Sequence, residues 1–174
     1  AKDYPTTKAL VKFADEVYEK SNGRIAIDVY ESSILGDEVS YMEQLQAGTV
    51  DVAKLSLGTL SGLYEDTQVF LLPFLFKNNT EMWKVLEGEV GTTVKNGLND
   101  YSIQGIGFTD NGSRCFYTTT EVDSLDDFKG LAIRVQNNQL MNSMVSCLGG
   151  NPVNVSANEV YSALQTGSAG KRIQ

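Results

Sequence analysis

Helical and extended periodicities alternate along the whole of this chain, and that alternation limits the folds open to it more than any other feature. From Thr6 to Ser21, Leu10, Phe13, Ala14, Val17 and Tyr18 recur at helical spacing. The spacing predicts a helix there, capped by Thr6 or Thr7 and ended by Asn22-Gly23. Arg24 to Tyr30 then switches to period two, with Ile25, Ile27 and Val29 on one face, and predicts a strand.

The switching continues. A turn is expected over 32–37, a helix over 37–46 stopped by Gly48, and a short buried strand over 50–57 in which Lys54 is awkward and must snorkel at an end. A loop over 58–66 leads to an apolar stretch around Pro73, then helices over 79–86 and 88–100. Strands are expected over 102–108 and 130–135, with extended pieces over 114–119 and 152–155. Between these, Ser124 starts a helical turn with Asp127 at the capping-box position. Helices are expected over 138–148 and 157–165, ended by Gly149-Gly150 and Gly167. This order argues for an α/β fold built from βαβ units on a mainly parallel sheet. No internal repeat and no Pro- or Ser-rich linker interrupts it.

Composition excludes several classes. The chain has 174 residues, enough for one domain or for one and a half lobes of a two-lobed protein. Net charge is -8 and no basic run exceeds two residues, so the basic face that a nucleic acid requires is missing. No apolar run approaches the length of a membrane span, and Val69 to Phe76 carries Pro73. No segment reads as a signal peptide, and the start at Ala1 rather than Met reads as processing or trimming. Cys115 and Cys147 can pair, or stay as free buried thiols. With two Cys and no His, a zinc site is not expected, nor is any cofactor.

Catalytic patterns are missing too. There is no His to act as general base, no nucleophile elbow and no Gly-rich phosphate loop. The paired carboxylates Asp126-Asp127 and Glu87/Glu89 read as surface or cap charges. Recognition chemistry remains. Arg134 sits between Ile133 and Val135 at the end of an expected strand, where a guanidinium is costly to bury without an anionic partner. Its planar fork matches a carboxylate in two hydrogen bonds. Arg114 precedes the aromatic pair Phe116-Tyr117. Two arginines near strand ends suggest an anion site, because ligands of open α/β sheets lie beyond the carboxyl ends of strands. A structural ion pair to Asp or Glu is the alternative for each. Gln136, Asn137 and Asn138 either donate to ligand hydroxyls or form a solvated helix start. Core packing is expected for most of the aromatics, among them Phe70, Phe74, Phe76 and Trp83.

Several stretches, in order, carry a resemblance: Glu43 to Asp51, Leu72-Pro73-Phe74-Leu75-Phe76, Asp127 to Val135, Gly149-Gly150-Asn151-Pro152-Val153, and Glu159 to Gly167. Together they resemble the solute-binding proteins of tripartite ATP-independent periplasmic (TRAP) transporters, of the DctP-like type, from about Tyr4 to Gly167. The resemblance implies a periplasmic-binding-protein-like pair of α/β lobes closing on a ligand. This chain would supply the N-terminal half: a first lobe over 1–115 lacking its first strand, part of a second over 116–167, and a tail over 168–174 that does not match.

What the resemblance implies about function follows the same family. It implies a periplasmic or otherwise extracytoplasmic receptor, monomeric when full length, that hands a small organic acid to a small and a large membrane subunit. Arg134 takes the place of the carboxylate-clamping arginine and Arg114 that of a second ligand arginine. Asn154 falls near a polar contact of the second lobe, Ser56 and Gly58 in the first-lobe loop that faces the cleft, and Tyr4 with Pro5 at the cleft-facing start of the first helix. The Arg114 to Tyr117 run and the Gln136-Asn137-Asn138 cluster favour a hydroxylated sugar acid, such as a uronate, over a C4-dicarboxylate. The rival readings are a binding lobe of an ABC importer or signalling receptor, and a carboxylate-processing enzyme, for which no nucleophile–base pair is found.

Overall fold

A computed structural model describes residues 4–168 and the backbone of 171–173. Of the expected tail, residues 169, 170 and 174 lie outside the described residues. The chain divides into two compact units, Ala1–Gly36 with Thr109–Gly112, and Asp37–Phe108 with Ser113–Gln174.

The first unit is built on helix α1 (Pro5–Lys20). Pro5 opens it, since the missing N–H of a first-turn proline costs nothing and its φ is already helical. Tyr4 holds the N-cap position without a side-chain bond, and neither Thr6 nor Thr7 caps, contrary to the expectation from sequence. At the other end the Gly23 N–H returns to Tyr18 O at 2.9 Å, with Asn22 and Gly23 both left-handed. The alternation in Arg24–Tyr30 does not become a strand, because no ladder forms on it among the described residues.

The second unit has a helical part and a sheet part. The helical part contains α2 (Glu38–Gln46), α3 (Leu57–Leu60), α4 (Asn79–Leu86) and α5 (Glu89–Gly97), with 3₁₀ turns at Glu65–Leu71 and Leu98–Tyr101. Asp37 caps α2 by accepting from Ser40 N at 2.9 Å. Met42, Leu60, Leu98 and Ile103 form its core. Two expected strands, 50–57 and 102–108, are irregular here except for Leu57, which opens α3, and α3 and the turn from Glu65 take up part of the loop expected over 58–66. Ile103 spends its apolar surface on this core rather than on a sheet face. Lys54 needs no strand end, since its Nζ lies 3.9 Å from Glu38.

The sheet has strand order β1–β4–β2–β3, from β1 (Phe116–Tyr117), β2 (Ala132–Val135), β3 (Asn151–Asn154) and β4 (Lys171–Ile173). β2 runs parallel to both β3 and β4, as the βαβ order predicts, while β1 is antiparallel to β4 at the edge. Helix α6 (Gln139–Cys147) connects β2 to β3, and α7 (Val160–Thr166) follows. Successive strand residues face opposite sides. Ile133 and Val135 therefore point to one side, where they join Phe128, Met141 and Val145 in a core. Ile133 and Val145 are fully buried, and each such side chain stabilises the fold by about 1.5–3 kcal/mol. The expected capping box forms: Ser124 and Asp127 satisfy one another across the 3₁₀ turn Leu125–Phe128. Both cysteines are free and exposed, so neither alternative, paired or buried, holds. Core packing does not extend to Phe74, which is fully exposed and left-handed at φ 58°.

Candidate functional site

The carboxyl end of β2 continues into Gln136, Asn137 and Asn138, and this segment docks on the start of α3. Asn138 Oδ1 caps α6 by accepting from Met141 N at 2.9 Å. Its Nδ2 donates to Gly58 O at 3.3 Å and to Ser61 Oγ. The residue is buried, so these bonds satisfy an amide that would otherwise be costly to enclose. Asn138 is thus a structural clasp rather than an exposed donor.

Gln136 is the hub. Its Oε1 accepts from Arg114 Nη2 at 3.0 Å, and its Nε2 donates to Ser56 Oγ at 3.3 Å. Ser56 Oγ in turn donates to Glu38 Oε2, which also accepts from Thr59 Oγ1 at 2.6 Å. A Cβ added to Gly58 would lie 2.6 Å from Gln136 Oε1, so the close approach of this amide requires glycine at 58. The loss of surrounding water lowers the Arg114 pKa from its ordinary value, although the residue as a whole is exposed. Among the described residues, no carboxylate lies within ion-pairing distance of Arg114. Its one hydrogen-bond partner there is the neutral Gln136.

Arg134 lies on the sheet face opposite Ile133 and Val135 and is 6% exposed. Its Nε and Nη2 donate to Val155 O at 2.9 and 2.6 Å. In the parallel register Arg134 is level with Val153, and Val135 with Asn154. Asn154 therefore belongs to the face that carries Val135, not to that of Arg134, although the carboxyl ends of β2 and β3 lie side by side. Tyr4 lies in the first compact unit, exposed, where its Oη donates to Asn111 Oδ1 at 3.4 Å.

The structure thus brings together Arg114, Gln136 and Ser56, which sequence reasoning had named. It adds Glu38 and Thr59, which it had not. Glu38 follows a helix cap and reads in sequence as an ordinary first-turn acid. Only the approach of α3 shows that it takes two hydroxyl hydrogens and stands 3.9 Å from Lys54 Nζ. Beside it, burial first and the Glu38 charge second raise the pKa of Tyr41 above the ordinary phenol value. No group of residues able to hold a metal ion occurs among the described residues. No described helix is long and apolar enough to cross a membrane.

Known proteins are similar to this chain in sequence and in fold. A C4-dicarboxylate-binding periplasmic protein, DctP, of Rhodobacter capsulatus is 34% identical over 96% of this chain and 50% of its own length. A solute-binding protein of Chromohalobacter salexigens is 36% identical over 94% of this chain and 49% of its own. The crystal structure of a TRAP periplasmic solute-binding protein from Xanthobacter autotrophicus PY2, with bound β-D-galacturonate, superposes with a TM-score of 0.96 at 36% identity, covering 100% of this chain and 58% of that one. The chain spans about half the length of the curated relatives it matches. The bacterial extracellular solute-binding proteins of family 7, a family of binding proteins rather than enzymes, match residues 1–169. The chain belongs to that family, the DctP family.

Proposed function

We propose that the protein is the extracytoplasmic receptor of a TRAP-type secondary transporter. In this reading it binds a small organic acid, a sugar acid such as a uronate ahead of a C4-dicarboxylate, and delivers it to the two membrane subunits. The observation that carries the reading is Arg114: a partly desolvated guanidinium held by a neutral amide, with no acid beside it among the described residues. A fixed cation in that state has its strongest available partner in an external carboxylate. The bound galacturonate of the Xanthobacter protein and the name of the Rhodobacter relative support the ligand class.

Arg134 is the proposed second cation. Its Nε and Nη2 are held on Val155 O, and its ligand role is proposed on the strength of the family resemblance. Ser56 and Gln136 are the proposed partners of ligand hydroxyls. Asn154 and Tyr4 are proposed contacts on the strength of the family resemblance.

Calorimetric titration of the full-length polypeptide with D-galacturonate, D-glucuronate and succinate tests the reading. One-to-one binding of a uronate, weaker for succinate, is expected. Absence of binding to all three acids would remove the reading.

A further inference from the structure

Arg114, Gln136, Ser56 and Glu38 form a hydrogen-bond chain that can run in one direction only. A carboxylate accepts and does not donate. Glu38 therefore takes the single hydroxyl hydrogen of Ser56 as well as that of Thr59. With its hydrogen committed, Ser56 Oγ can only accept, from Thr59 N at 3.2 Å and Gln136 Nε2 at 3.3 Å; Thr59 Oγ1, also 3.0 Å away, has its own hydrogen on Glu38. These two donors use both of its lone pairs. Gln136 must then turn its NH₂ to Ser56 and its carbonyl to Arg114, 3.0 Å away. The reversed amide would set a donor against the guanidinium and an acceptor against an oxygen with no hydrogen to give. Gly58 provides the space in which this amide lies.

We propose that Glu38 and Gly58 are positioning residues that fix the Arg114 guanidinium for an anionic ligand, Glu38 by setting the direction of the chain and Gly58 by leaving room for the Gln136 amide. The proposal rests on the reading of Arg114 as an anion-binding group. Glu38→Gln keeps the shape but replaces the acceptor-only carboxylate with an amide that also donates, so the Ser56 hydroxyl is no longer held to one side and its grip on the Gln136 NH₂ loosens. Gly58→Ala brings a methyl group against Gln136 Oε1. The obstacle is the tip of a flexible side chain, so the amide moves and the fold persists.

The test is a set of double-mutant cycles on the full-length polypeptide. D-Galacturonate affinity is measured for the wild type, Glu38→Gln and Gly58→Ala, and for each substitution repeated in a Gln136→Ala background. Rotation about the Arg114 Nε–Cζ bond is followed by side-chain nitrogen NMR without ligand. Each single substitution should weaken binding about tenfold and lose its effect once Gln136 is gone, because the influence passes through that amide. Rotation of the Arg114 guanidinium should speed up in both variants. Losses that add in the Gln136→Ala background, or unchanged rotation, would overturn the proposal. If the wild type binds no galacturonate, the reading of Arg114 fails, and the rotation measurement alone then decides the positioning claim.

Discussion

Arg134 aims two nitrogens at one main-chain oxygen, that of Val155, at 2.9 and 2.6 Å. The bonds span 21 residues and tie the middle of β2 to the chain just beyond β3. A side chain read from sequence as a ligand clamp is therefore also a fastener of the sheet.

Arg134→Ala should consequently lower stability, and not only ligand affinity. A lost charge-assisted hydrogen bond of this kind costs about 1.5–3 kcal/mol. Arg134→Lys should recover little, since an ammonium cannot reproduce the planar fork. Urea denaturation measures both variants, and an unchanged midpoint for Arg134→Ala would refute the fastening role.

Arg114 should behave differently. It is exposed and its described bond is to Gln136 alone, so Arg114→Ala should change stability by no more than about 0.5 kcal/mol. Its loss should still weaken uronate binding at least tenfold, about 1.4 kcal/mol. Calorimetry paired with thermal melting checks the split. Equal affinity for wild type and variant would remove Arg114 from the site.

Stability should fall in acid partly through Asp127. The Ser124 hydroxyl, then the N–H groups of Ser124 and Asp123, lower its pKa in the folded chain. A depressed carboxyl pKa contributes stability above the unfolded value of about 3.9, and that contribution is lost as pH drops through the folded value. Asp127→Asn should therefore flatten the stability profile below about pH 4 relative to the wild type. Identical slopes in acid denaturation curves would contradict this.

Gly91→Ala should destabilise, against helix propensity. Alanine normally favours a helix interior by about 1 kcal/mol over glycine. Here a Cβ would stand 1.9 Å from Leu86 O, a backbone atom that cannot swing aside. The melting temperature should drop, and a rise would show that α4 and α5 separate at no cost.

Legibility followed the range of the forces. Helices stood out where an apolar stripe and a local cap agree: α4 covers the expected span, and α2 starts at an Asp37 cap. The capping box at Ser124 was readable because both partners lie within three residues. Strands were read well over β2 and β3, where α6 links two parallel neighbours, and β1 falls inside the extended piece expected over 114–119. The alternating run Arg24–Tyr30 has the pattern of a strand but no described pairing, and pattern cannot supply a partner.

In the site, Arg114, Gln136 and Ser56 were recognisable as types suited to an anion and hydroxyls. Their connection was not, because Gln136 and Ser56 are 80 residues apart. Glu38 was missed for the same reason: its surroundings come from Ser56 and Thr59, 18 and 21 residues away.

By itself the sequence determined where most of the longer helices lie, which class of fold follows, and which family's motifs the chain carries. These depend on contacts a few residues apart, or on order along the chain. The tertiary structure decided which groups face one another: that Arg134 holds Val155, that Asn138 clasps Gly58, and that Glu38 directs the bonds leading to Arg114. Hydrogen bonds act over about 3 Å, and only folding brings residues this distant in sequence within that range.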